Sequence, residues 1–185
     1  MLNTLSSITT QELYWVQPKA MEKQFELRSA EQQYASLHFP SAFGSRAIAS
    51  TADGIWTYKR VGFFNTRVTA RVEGSETDLA VYRPKWTGMQ GILEIASGQT
   101  YLWNTTNFWA TRFQFADANG NPLVTFQSGA EDWKISNFFK TQVRMEIDRG
   151  AVGVPNLPLL ATIGFYLIIL QQEDTTAATT AATVS

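Results

Sequence analysis

The stretch Ala151–Leu170, AVGVPNLPLLATIGFYLIIL, contains no charged residue, and from Leu159 onward its apolar residues cover every face of a helix. Such a helix has to be surrounded by apolar matter, either the core of its own domain or lipid. Asn156 is placed to act as the N-cap, and Pro158 falls in the first turn, where its missing N–H costs nothing, so the spacing predicts a helix that begins near Leu157. From Leu157 to Leu170 the rise is only about 21 Å, against roughly 30 Å of bilayer hydrocarbon. Extending the segment backwards would bring Pro155, Asn156 and Pro158 into the membrane, and at its other end the chain runs on into Gln171, Gln172, Glu173 and Asp174 in place of a basic anchor. The preferred reading is a helix buried in the protein. A membrane-spanning or dipping helix is the alternative.

What buries it has to come from the preceding residues, which alternate apolar and polar with period two in short runs. Phe25 and Leu27 alternate with Gln24, Glu26 and Arg28; Val68, Ala70 and Val72 with Arg67, Thr69 and Arg71; Phe113 and Phe115 with Arg112 and Gln114. Each run offers one face to a core and the other to water. Asp53-Gly54, Thr87-Gly88, Ser97-Gly98 and the Asp117–Pro122 stretch supply turn chemistry between them. Aromatics at 13% suit a pleated, half-buried surface. The expected class is mainly β, and a closed barrel of about a dozen strands is wide enough to hold a helix while removing exposed edges. Ala161, Thr162 and Gly164 would let strands approach that helix closely. The expected layout is an N-terminal arm over 1–10, a barrel over 11–174 with its central helix at about 157–171, and a disordered Thr/Ala tail over 175–185.

Two pairs of segments suggest an internal duplication. Trp15 and Phe25 are spaced like Trp103 and Phe113, and Leu27 and Ala30 then match Phe115 and Ala118. Further on, Phe63-Phe64-Asn65-Thr66-Arg67-Val68 parallels Phe138-Phe139-Lys140-Thr141-Gln142-Val143, preceded by Trp56 and Trp133 respectively.

A duplicated set of strands followed by a wholly apolar C-terminal helix resembles the tubby-like C-terminal fold shared by tubby proteins, phospholipid scramblases and LURP-one-related proteins. The best local likeness is Asp148 through Leu170: an acidic residue, a short loop with a proline and an apolar helix after the last strand. The resemblance implies a twelve-stranded antiparallel barrel around the helix and a role tied to lipid, phosphoinositide binding in tubby proteins and calcium-dependent lipid movement in scramblases. This chain departs from the scramblase pattern in having only Asp148 before Arg149 and Gly150 where those proteins are acid-rich, and in lacking a cysteine cluster.

Composition narrows the chemistry. A formal net charge of −1 removes the usual electrostatic drive toward nucleic acid. With no cysteine there are no thiolate sites, and with His38 alone there is no multi-histidine metal site. His38 reads as a strand residue. Ser45 follows Gly44 but lacks a G-x-S-x-G elbow. Asp117, Asn119 and Asn121 imitate a calcium loop, yet Pro122 and Ser128 stand where Gly and Glu are needed, so a hairpin is expected. The sequon at Asn104 reads as incidental. Trp86, Trp103 and Trp109 are assigned to the core, with an interface as the alternative.

The densest basic stretch, Lys59, Arg60, Arg67 and Arg71, is the candidate anionic lipid-binding site, weighed against a solvated outer face balanced by Glu73, Glu76 and Asp78. The expectation is a non-enzymatic lipid- or membrane-associated domain, cytoplasmic or peripheral to a membrane, with no cofactor, no metal and no nucleic-acid partner. Its rivals are a soluble structural or partner-binding barrel with no lipid role and a single-helix membrane-anchored protein. An enzyme using scattered carboxylates comes last.

Overall fold

The computed structural model describes residues 2–5, 8, 12–19, 22–63, 65–85, 90–107, 109–129 and 140–184. The strands are β1 (Leu13–Gln17), β2 (Gln24–Arg28), β3 (Gln33–His38), β4 (Ala47–Thr51), β5 (Gly54–Val61), β6 (Arg67–Val72), β7 (Ala80–Pro84), β8 (Gln90–Ile95), β9 (Thr100–Thr105), β10 (Arg112–Ala116), β11 (Pro122–Ser128) and β12 (Lys140–Ile147). A 3-10 turn at Arg149–Ala151 leads into the helix α1 (Leu157–Val184). Each strand pairs antiparallel with its neighbours in sequence, and β12 returns to β1, Leu13 facing Met145 and Trp15 facing Val143. The sheet thereby closes into a twelve-stranded barrel with no free edge.

The period-two pattern decides which side chains enter the barrel. Trp15, Phe25, Leu27, Tyr58, Val68, Ala70, Tyr82, Trp103, Phe113, Phe115, Phe126, Val143 and Met145 all belong to one buried core with α1. Val72 departs from its expected place: it lies at the end of β6 and is 48% exposed. Short inward side chains, Ala35, Ala47, Ala49 and Ala80, leave the interior room that the helix takes up.

From Leu157 to Leu170 every helical residue is buried, which is what its lack of a polar face demands. Phe165 stacks on Trp15 with ring centroids 4.3 Å apart and meets Phe25 edge-on at 5.2 Å. Tyr166 packs against Phe39 and Tyr58. Burying a side chain of this size contributes roughly 1.5–3 kcal/mol. Gly164 marks the closest approach: a Cβ there would collide with the Phe126 ring and lie 3.3 Å from that of Phe115. Within the buried run Thr162 donates to the Pro158 carbonyl oxygen at 2.9 Å and lies 2.6 Å from the Tyr58 hydroxyl, which is left to donate to it.

The membrane-spanning alternative gives way to this arrangement, because strands cover the apolar faces of α1. No helix among the described residues is long and apolar enough to cross a membrane.

Two expectations change. Asn156 precedes the helix and its carbonyl accepts from Leu160 N, but its side chain donates to Gln99 Oε1 and Tyr101 Oη on the barrel wall and caps nothing. The tail assigned to disorder continues α1 to Val184. Alanine is the best helix former, and the hydroxyls of Thr175, Thr176, Thr179 and Thr180 donate to carbonyls four residues back at 2.8–2.9 Å. The strand order leaves the internal duplication unconfirmed. One matched block relates β1–β2 to β9–β10 and the other β5–β6 to β11–β12, two different offsets around the barrel. Phe64, Trp133, Phe138 and Phe139 of those blocks lie outside the described residues.

Candidate functional site

An up-and-down barrel places its connections alternately at two ends, so each end collects every second loop. The helix sorts them. At its start, Asn156 bonds Gln99 and Tyr101, which places the β8–β9 connection and every second one with it at the entry end. At the other end Lys23 contacts Glu173, Arg60 Nη1 donates to both carboxylate oxygens of Asp174 at 2.8 Å, and Tyr166 Oη donates to the Ser45 carbonyl. This is the exit mouth, where α1 leaves the barrel.

Three large aromatics stand out on the connections of the exit mouth. Phe43 between β3 and β4 is 102% exposed, Phe63 between β5 and β6 is 90%, and Trp109 between β9 and β10 is 78%. Around them are exposed Arg46, Lys59, Arg67, Lys85 and Arg112, none with a carboxylate partner among the described residues. Among the described residues the acids of this mouth have partners: Glu22 with Lys19, Glu173 with Lys23, Asp174 with Arg60.

Between α1 and β5–β9 a cavity of about 480 Å³ opens on the same mouth, lined by Arg60, Arg67, Tyr82, Trp103, Leu167 and Leu170 among others. Tyr82 reaches it because Gly91 on the next strand has no side chain: a Cβ there would collide with the phenol ring and its oxygen. Burial pushes the Tyr82 phenol up, so it stays protonated, and its hydroxyl has no hydrogen-bond partner among the described residues.

The structure divides the four candidate residues. Arg67 and Arg71 point from the same side of β6, as the alternation implies, and with Lys59 they line an outer-wall groove of about 490 Å³. Arg60 has the opposite parity, beside Tyr58 and Val68, and reaches the helix instead. Arg71 lies toward the entry end and is committed, with Nε 2.6 Å from Asp78 Oδ1 and Nη1 3.2 Å from Glu76 Oε2. The balanced-face alternative therefore holds for Arg71. Arg60 and Arg67 meet at the exit-mouth cavity.

Most other singled-out residues have local structural duties. His38 ends β3. Ser45 supplies the acceptor for Tyr166. Asn104 lies within β9, paired with Gln114 and Gln90. Asp117 Oδ1 accepts from the backbone of Asn119 and Asn121, both at 2.9 Å, and the Asn121 side chain donates to Oδ2 at 2.8 Å, which holds the carboxyl below its usual range. The stretch is a hairpin turn between β10 and β11, in line with its sequence. Trp103 is core, stacked on Phe113 at 5.6 Å. Trp109 is exposed, against the core assignment, and Trp86 lies outside the described residues. Among the described residues no cluster of three or more His, Asp or Glu side chains could hold a metal ion.

Sequence reasoning missed Phe43 and Phe63. Both follow or adjoin Pro, Gly or Ser in turn-like contexts, PSAFGS and GFFN, where an aromatic has no strand to join. Comparisons with family models, curated proteins and solved structures return no match.

Proposed function

We propose that this chain is a non-enzymatic tubby-like barrel that rests its exit mouth on an anionic membrane surface. The observation that carries the proposal is the coincidence at one end of exposed aromatics, Phe43, Phe63 and Trp109, with the unmatched bases Arg46, Lys59, Arg67, Lys85 and Arg112. Tryptophan and phenylalanine at loop tips suit the headgroup level of a bilayer, where one side of the ring is apolar and the other wet. Each basic side chain near an anionic leaflet adds about 1 kcal/mol, and each ring withdrawn from water up to roughly 1.5–3 kcal/mol. The layout of twelve antiparallel strands around an apolar C-terminal helix supports the kinship with tubby-like proteins.

Co-sedimentation with vesicles tests it. The chain is expected to pellet with phosphatidylserine-containing vesicles, weakly with pure phosphatidylcholine, and less as salt rises. Phe43→Ser/Phe63→Ser/Trp109→Ser is expected to lose most of the binding without loss of fold. Equal pelleting by the triple variant and the parent chain would remove the proposal.

A further inference from the structure

The exit-mouth cavity differs in kind from the rim around it. Its inner walls are apolar, Val68, Trp103, Leu167 and Leu170, and its charged groups sit at the opening, Arg60, Arg67 and Asp174. Asp174 is held by Arg60 at 2.8 Å, so these two charges cancel locally. Arg67 is left as the uncompensated charge of the cavity, with no ion pair or hydrogen bond among the described residues. One strand over, Tyr82 sits opposite Val68 in the β6–β7 ladder and offers a neutral donor with no partner among the described residues. A volume near 480 Å³ lies in the range of sites that enclose small ligands, which are typically apolar with a few placed polar groups.

We propose that this cavity binds one single-chain amphiphilic anion, a fatty carboxylate or its like. The head lies at Arg67 with the Tyr82 hydroxyl as donor, and the chain lies along α1 against Leu167, Leu170 and Trp103. Two features favour a single chain over a larger occupant. One wall is the continuous helix, which the Arg60–Asp174 and Lys23–Glu173 pairs hold at the mouth. The other is the sheet itself, whose paired strands cannot part without breaking the barrel. The site needs neither Phe43, Phe63 nor Trp109, none of which lines it, so it stands or falls separately from attachment of the rim to a bilayer.

Calorimetric titration of the full chain with laurate below its micellar concentration is the test, with dodecyltrimethylammonium as the cation of equal chain length. Saturable one-to-one binding of laurate is expected, with the cation at least about tenfold weaker. Arg67→Gln, a change at an exposed position, is expected to weaken laurate by about tenfold. Leu170→Trp, which fills the cavity from the helix, is expected to abolish the binding in a chain whose melting shows it still folded. The Phe43→Ser/Phe63→Ser/Trp109→Ser variant is expected to bind laurate like the parent. No saturable laurate binding, equal binding of the cation, indifference to Arg67→Gln, or loss of laurate binding in the rim variant would each overturn the site.

Discussion

The two ends of this barrel are built from the same strands, yet among the described residues they expose different side chains. The entry end carries Glu31, Asp53, Glu73, Glu76, Asp78, Asp117 and Asp148 on or beside its turns, and it is closed from below by Leu5 and Ile8 of the N-terminal arm, which are 0% and 5% exposed. Asn3 N anchors that arm on the Gln33 carbonyl at 3.0 Å. The exit mouth instead lifts aromatic rings into solvent among unmatched bases and keeps a cavity open beside the helix. A turn needs only Gly, Asn, Asp, Ser or Pro to reverse the chain, and each described turn of the entry end carries one of these, with the smaller apolar side chains of Ile55, Val72 and Val152 partly exposed beside them. Rings added at the other end serve no such need, and they lie too far out to join the core. The contrast separates what folding requires from what a partner would require.

Substitutions can break this contrast or sharpen it. The largest effects belong to the shared interior. Phe165→Ala removes the ring stacked on Trp15, and a loss of about 3–5 kcal/mol in chemical denaturation is expected, enough to disturb both ends. Gly164→Val forces a branched side chain against Phe126 and should cost about 1–3 kcal/mol or more; a stable variant would mean that α1 is not seated as described.

Smaller effects come from the buried hydroxyls. Tyr58→Phe removes the donor to Thr162 and is expected to cost about 1 kcal/mol. Burial raises the phenols of Tyr58, Tyr82 and Tyr166. A phenol raised in the folded chain contributes stability below the unfolded value, near pH 10, and that contribution is lost as pH rises further. Alkaline unfolding should therefore begin above about pH 10, and Tyr58→Phe should blunt it. The smallest change is expected at the entry end. Asp117 is held below its usual range by its own turn, so its contribution is present at neutral pH and lost as pH falls through that lowered value. The stability difference between the parent and Asp117→Ala, followed by denaturation, should shrink in acid.

Much of the fold was legible because it rests on patterns local in sequence. Alternation placed Phe25, Leu27, Val68, Ala70, Phe113 and Phe115 inward, and the unbroken apolar run of α1 demanded an enclosure. What could not be read locally depends on the ends of elements. Parity sets Arg60 against the helix, while Arg67, at the mouth end of β6, borders both the outer groove and the exit-mouth cavity, so four bases close in sequence divide between a helix contact, an open rim and an acidic pair. The cavity is less legible still, since Tyr82, Trp103 and Leu167 come from segments that closure of the barrel brings together. Helical continuation to Val184 is consistent with the alanines of the tail, whose helix propensity a low-complexity reading passes over.

The claim that the two mouths differ in purpose can be tested on one chain, because it has no cysteine to compete with an introduced label. An environment-sensitive fluorophore would be placed at Phe63→Cys on the exit mouth and, separately, at Asp53→Cys on the entry end, and each protein mixed with phosphatidylserine-containing vesicles. A blue shift at position 63 with none at position 53 is the expected result. Equal shifts at both positions, or none at either, would contradict a membrane-facing exit mouth.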